Sequence, residues 1–436
     1  MPVIMSRVPS PTVSAQVSFN VDKEKLSQEQ PVLAPQVGPP PDGGLMAWLQ
    51  VVGGFFAFFN SWGIVNSFGV YESYYLLHLL SHESPSTIAW IGSTQGFCVV
   101  GASIVCGRLV DAGYAKTLLI VGTFLLTFGM MMTSISSEFY QVFLAQGVCT
   151  GLGCCCMFIT SVAVVASYFS TRRSFAIGIM AAGSSLGGVV YPIMVRQLID
   201  KVGFPWATRI VAFTIFAGSA VPCVLLKSRL PPRKSGPPID YPSLRDKTFI
   251  FYTTGTFLGF IGIYIPVFFI QSFSLQIGVD ATLAFYVTSI LNAGSIFGRI
   301  LPNFLADKTG PINMLLPCTA ITCILCFAWI GVHNAGGVIA FSILYGFFSG
   351  TFVSLPPACI ASLTPDLTLI GTRMGMNFFA CGTGILIGAP IAGALINADD
   401  GGYLDAQIFG GLCAALSTLF IGFARTSLVG LRVQKC

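Results

Sequence analysis

About twelve blocks of about 20 to 27 predominantly apolar residues run through this chain. Each is long enough to cross a hydrocarbon layer of roughly 30 Å as a helix rising about 1.5 Å per residue. The blocks fall at 45–72, 86–108, 116–136, 139–167, 173–196, 206–227, 248–275, 281–303, 312–333, 336–362, 373–397 and 403–425. Charged residues make up only 9% of the chain, against roughly 25% in an ordinary globular protein. A water-soluble bundle with such a surface would aggregate, so the lipid bilayer is the expected solvent. The 48 Gly and 37 Phe suit it, small residues letting helices approach and aromatic ones packing against lipid and neighbours.

Met1 to Pro41 are polar and proline-rich and contain no apolar core of the kind found in a cleavable signal peptide. They read as a disordered tail. Most of the 14 cysteines, including the run Cys154, Cys155, Cys156, lie inside apolar blocks and read as small packing residues. No metal-ligand spacing appears, and neither a metal nor a cofactor is expected.

The net charge of +5 acquires a meaning once the blocks are threaded back and forth. All but three of the 22 Lys and Arg then fall on one side, the exceptions being Arg196, Lys201 and Arg209. The loop between the sixth and seventh blocks alone carries Lys227, Arg229, Arg233, Lys234, Arg245 and Lys247. The positive-inside rule makes that side cytoplasmic, with both termini on it. Nucleic-acid binding is not needed to explain the charge.

Divided at that loop, the chain has six blocks on each side, and two landmarks repeat. After the second block comes Gly107-Arg108-Leu-Val-Asp111-Ala-Gly113, with Lys116 following, and after the eighth comes Asn303-Phe-Leu-Ala-Asp307-Lys308-Thr-Gly310. Asp111 and Asp307 stand 196 residues apart. Arg173, Gly183 and Pro192 around the fifth block match Arg373, Gly382 and Pro390 around the eleventh, and the two arginines stand 200 residues apart. The expected fold is an all-α membrane protein of twelve transmembrane helices, in two six-helix halves related by a pseudo-two-fold axis. Its expected parts are a tail 1–43, a bundle 44–227, a cytoplasmic linker 228–247, a bundle 248–427 and a tail 428–436.

An Asp ending one span beside Arg or Lys can pair with a neighbouring helix's amino-terminal end or with basic residues, and such a cluster must break when the halves rock. Arg108, Asp111, Asp307 and Lys308 therefore read as conformational latches, or alternatively as ordinary membrane-flanking charges. Gly178, Ala182, Gly183, Gly187 and Gly188 form a small-residue surface on the fifth span, suited to close contact and sliding.

These residues resemble the major facilitator superfamily, whose signature loop between the second and third helices is similar to Gly107 to Lys116. A narrower resemblance is to the monocarboxylate porters and their fungal branch. It rests on Pro41-Asp42-Gly43-Gly44 with Trp48, and on the stretch Tyr168 to Gly183 that includes Arg172, Arg173 and Gly178. The resemblance implies alternating-access transport, with Asp42, Arg172 and Arg173 in the conformational machinery. It also shows departures. Where lactate carriers of that family have an Asp four residues before the eighth-helix Arg, this chain has Ser295, and their first-helix Lys aligns with Asn66.

Arg299 lies eight residues before Asp307, roughly 12 Å inward. A charge so deep costs about 2.5–3.5 kcal/mol on insertion scales and nearly always faces the bundle interior. It is the expected binding group for an anionic or acidic small molecule; the alternative is that it holds neighbouring helices together. Asn292 and Ser295 share its helical face, and Asn66 and Asn377 are further candidate substrate-binding residues. Asn60, Gln95 and Gln146 also lie at depth. His78 and His82 read as outer-loop residues.

Glu72 is near an outer end and Asp42 near an inner one, and no acid lies at mid-span. Either Asp42 carries protons as a second partner, or the protein is a facilitator or exchanger. With three His and no buried acid pair there is little from which to build an enzyme. The leading expectation is a transporter of a small, monocarboxylate-like organic anion in the plasma membrane. The alternatives are an exporter of a larger fungal secondary metabolite and a non-transporting nutrient sensor.

Overall fold

The computed structural model describes residues 40–231, 239–364, 369–398 and 401–430. The expected tail therefore lies outside the described residues up to 39, as do linker positions 232–238, with Arg233 and Lys234, and the C-terminal 431–436. Eleven helices among the described residues are long and apolar enough to cross a membrane. One of them, Arg173–Leu225, has 53 residues and would run about 80 Å if straight. It turns at Gly203, whose backbone is non-helical (φ 75°, ψ 163°), so it supplies two spans and the total is twelve.

We number the helices α1 Gly44–Leu79, α2 Pro85–Asp111, α3 Ala115–Thr133, α4 Phe139–Tyr168, α5 173–202, α6 204–225, α7 Lys247–Gln276, α8 Ala281–Thr309, α9 Pro311–Gly331, α10 Ala335–Leu363, α11 Ile370–Ile396 and α12 Leu404–Val429. The chain enters α1 and leaves α12 on one face, here called the terminal face.

Local sequence sets where the helices begin. Ser84 accepts from the Thr87 amide with Pro85 in the first turn, Asp280 accepts from the Thr282 and Leu283 amides, and Asn334 accepts from the Gly337 amide. Helix α1 runs seven residues beyond the expected end at 72, because its last turn, Tyr75–Leu79, is a π-turn carrying His78. Likewise the fifth and sixth spans are not separated by a loop over 197–205; helical backbone runs up to Gly203 and resumes at once with Phe204 and Pro205.

Gly203 occupies a backbone region essentially closed to side chains, and a Cβ there would meet only Pro205 Cδ at 3.9 Å. The cost of Gly203→Ala is therefore conformational rather than steric, about 1–3 kcal/mol. A lowered thermal unfolding midpoint of the detergent-purified protein should report it, and an unchanged midpoint would count against this account of the turn.

Several spans are broken near mid-depth. Helix α1 is interrupted after Val65, at Asn66 and Ser67; α7 is interrupted at Ile263; α4 is π-helical over Phe143–Thr150; and α10 is interrupted at Leu355, before Pro356 and Pro357. Such breaks expose backbone only where protein or a cavity can receive it.

Candidate functional site

The terminal face is tied shut by carboxylates. Asp307, near the end of α8, accepts from the backbone amides of Ser174 (2.8 Å) and Phe175 (3.0 Å), in the first turn of α5. An anion at a helix N-terminus meets both unpaired N–H groups and the positive end of the helix dipole. Asp111 occupies the equivalent place at the end of α2. Its carboxylate lies against Gly371 in the first turn of α11, where a Cβ would come within 2.6 Å of Oδ2. Each latch joins one six-helix half to the other. Arg108 and Lys308 beside them are exposed, and the Lys308 ammonium lies 4.8 Å from the Phe304 ring.

Asp42, in a left-handed backbone conformation (φ 53°), accepts from the Ser170 amide and hydroxyl and from the Thr171 amide at 2.9 Å. Burial pushes its carboxyl up, but these bonds and one from the Arg172 amide outweigh it and hold the group below its ordinary value. In this state Asp42 carries no proton at neutral pH; it ties the start of α1 to the α4–α5 connection. Arg172 is exposed, while Arg173 is half-buried and donates from Nε to the Phe169 carbonyl at 3.1 Å. The second half has its own version. There Arg373 is buried against Asp240 (2.9 Å) and reaches Asp246 (3.7 Å), tying 240–246 to the start of α11. Sequence reading matched Arg373 to Arg173 but missed Asp240, whose loop setting gives no sign of burial.

Toward mid-depth a polar seam joins the halves. Arg299 on α8 is 6% exposed. Its Nε donates to Ser295 Oγ at 3.1 Å, and its Nη1 donates to the Ala181 carbonyl at 3.1 Å and to Ser184 Oγ at 2.6 Å, both on α5. Ser185 Oγ meets Ser295 Oγ at 3.1 Å, and Asn66 Nδ2 reaches Asn292 Oδ1 at 3.4 Å. Four of the five candidate substrate-binding residues, Arg299, Asn292, Ser295 and Asn66, thus line one small cavity of about 20 Å³. The fifth does not join them. Asn377 on α11 donates to Thr256 (2.8 Å) and Thr253 (3.3 Å) of α7.

The small-residue surface of α5 makes this seam possible. A Cβ on Gly178 would run into the Arg299 carbonyl of α8, so the two backbones touch there. Gly183 faces the other way, against the Phe55 carbonyl of α1.

Above the seam a cavity of about 270 Å³ opens toward the face opposite the termini. Asn66 and Val267 line both cavities, and Phe268, Phe269, Phe285, Tyr403 and Glu72 line the larger one. Below it the bundle centre is filled with rings. Trp62 of α1 packs edge-on against Phe158 of α4 (5.9 Å) and parallel to Tyr264 of α7 (6.3 Å). Phe158 reaches Phe378 of α11 (5.6 Å), and Phe260 of α7 reaches Phe352 of α10 (5.4 Å). Composition does not distinguish these rings from the other aromatic residues of the spans. The spacing of Phe260, Tyr264 and Phe268, one helical turn apart, was the available signal.

The arrangement is a bundle closed at the terminal face and centre, with a cavity toward the other face. Most of the chain, residues 50–389, matches the family described as Major Facilitator Superfamily. The chain is 40% identical to the MFS-type transporter dbaD of Emericella nidulans over 88% of its own length and 87% of the relative's. It is also 40% identical to the aspyridones efflux protein apdF of the same organism, over 87% and 77%. To the agnestins efflux protein AgnL12 of Paecilomyces divaricatus it is 36% identical over 89% of each chain.

Proposed function

We propose that this chain, which belongs to the major facilitator superfamily and is a multi-pass membrane transporter, exports an amphipathic fungal secondary metabolite by alternating access. The observation that carries this reading is the make-up of the path. A cavity of about 270 Å³ is lined from both halves, by Val70 and Leu76 of one and by the rings of Phe268, Phe269, Phe285 and Tyr403 of the other. The Arg299 cavity of about 20 Å³ is near the size of one or two waters and too small for an organic carboxylate. Relatives named as efflux proteins for aspyridones and agnestins favour the same reading.

In this reading the structure is the outward-facing state. The terminal face is cytoplasmic, as its basic loops favour, and the membrane is the plasma membrane. Cargo enters from the cytoplasmic side after the Asp111 and Asp307 latches part and the halves rock. The same motion separates α5 from α8, so Arg299 loses Ala181 and Ser184 and becomes free for one acidic group of the cargo. Asn66, Asn292 and Ser295 surround that group, and Gly178 and Gly183 let the helices slide. Asn377 acts at the α7–α11 contact rather than on cargo. The narrower likeness to monocarboxylate porters then concerns the gating motifs around Asp42, Arg172 and Arg173, not the cargo.

A second reading, transport of a small monocarboxylate, draws on the buried Arg299 alone. Reconstituted vesicles separate the two. Export predicts saturable transport of amphipathic aromatic acids, tested with and without a pH gradient to expose any proton coupling. Saturable transport of lactate-sized acids that the larger acids do not inhibit would overturn it.

A further inference from the structure

Trp62 and Tyr264 are parallel to within 11° although they belong to different halves. Their centroids are 6.3 Å apart, within the range of an offset-stacked pair. Trp62 is 4% exposed and Tyr264 6%, so they meet in the closed centre of the bundle rather than at its surface. Neither ring is isolated. Phe158 braces Trp62 edge-on at 5.9 Å. Tyr264 is the middle rung of a ladder on α7, with Phe260 at 6.2 Å and Phe268 at 5.7 Å, all inclined by less than 30°. The outermost rung, Phe268, lines the large cavity, and Tyr264 lines the small cavity that holds Arg299.

We infer that Trp62 and Tyr264 form a clip for a flat aromatic ring, and that the cargo is a planar aromatic molecule bearing an acidic group. The inference rests on the export reading above and narrows its cargo. Because one face of the clip belongs to each half, rocking parts the two faces, and a ring inserted between them touches both halves at once. A ring held between two faces gains stacking that a saturated ring of the same size lacks. The α7 ladder supplies further parallel faces between the clip and the open cavity, so a ring leaving the clip passes to Phe268. Arg299, across the small cavity from the Tyr264 face, meets the acidic substituent.

The test compares 2-naphthoate with its fully saturated decalin counterpart, binding each to full-length protein in detergent and measuring by calorimetry. The natural protein should bind naphthoate about tenfold more tightly than the saturated acid, the ratio expected of roughly one stacking contact on each face. Trp62→Leu and Tyr264→Leu should bring that ratio close to one. Trp62→Phe and Tyr264→Phe keep a ring at each position and should retain most of it, which answers the objection that a leucine variant merely packs badly. A ratio near one in the natural protein, or an undiminished ratio in both leucine variants, overturns the clip. If the saturated acid is bound and exported as well as naphthoate, export stands and the clip falls. If neither acid is bound or exported, the export reading fails with it.

Discussion

Arg299→Ala should lower transport by about a hundredfold or more while leaving the protein folded and in the membrane. The folding side is near balance. Burying a charge at this depth costs about 2.5–3.5 kcal/mol, and the side chain recovers a comparable amount from its bonds to Ser295, Ala181 and Ser184. Removing it therefore forfeits little net stability. Transport is different. A hydrogen bond to a charged partner is worth about 1.5–3 kcal/mol, and each 1.4 kcal/mol is tenfold in affinity. The guanidinium also helps close the α5–α8 seam, so its loss affects both binding and switching. Arg299→Lys keeps the charge but loses the planar fork that spans Ser295 and α5 together, and should fall between the two. Rates in vesicles, normalised to protein inserted, decide the matter; natural rates for the alanine variant would sink the site.

How much of this was legible beforehand depends on what each feature leaves in the chain. The spans were legible because hydrocarbon thickness fixes their length, whereas the turn at Gly203 was placed too loosely because hydropathy does not report a single backbone torsion. Asp111 and Asp307 could be read because duplication set them 196 residues apart. Arg299 stood out as a charge among apolar residues, but its acceptor on α5, the Ala181 carbonyl, has no sequence signature, since every residue has a carbonyl. That is why binding and helix-holding roles could not be separated from composition. The clip was obscured for the opposite reason. With 37 Phe and 13 Tyr in the chain, the rings that meet across the halves look like those that face lipid. Asn377 has its amide on two threonines of α7, partners that polarity alone does not identify.

The double variant Asp111→Asn, Asp307→Asn should reverse the resting conformation. Asp307 holds the first turn of α5 through two amides at 2.8 and 3.0 Å, and the Asp111 carboxylate lies against the first turn of α11 in the opposite half. Asparagine is close in size but neutral, so it gives up the charge-assisted part of the bonding and the attraction to the helix dipole. A loss of about 1.5–3 kcal/mol at each latch sums to roughly 3–6 kcal/mol, close to the ~5.5 kcal/mol that takes a two-state equilibrium from 99:1 to 1:99. Either substitution alone should leave a mixture, because the remaining latch still spans the halves. Spin labels at the exposed positions Arg172 and Lys308, placed through unnatural amino acids because the chain has 14 cysteines, should report a widened separation in the double variant. Naphthoate export should fall in parallel, since a transporter resting open to one side must still restore the closed terminal face to release cargo at the other. A separation unchanged from the natural protein would show that the terminal face is held by packing, and Asp111 and Asp307 would revert to ordinary flanking charges.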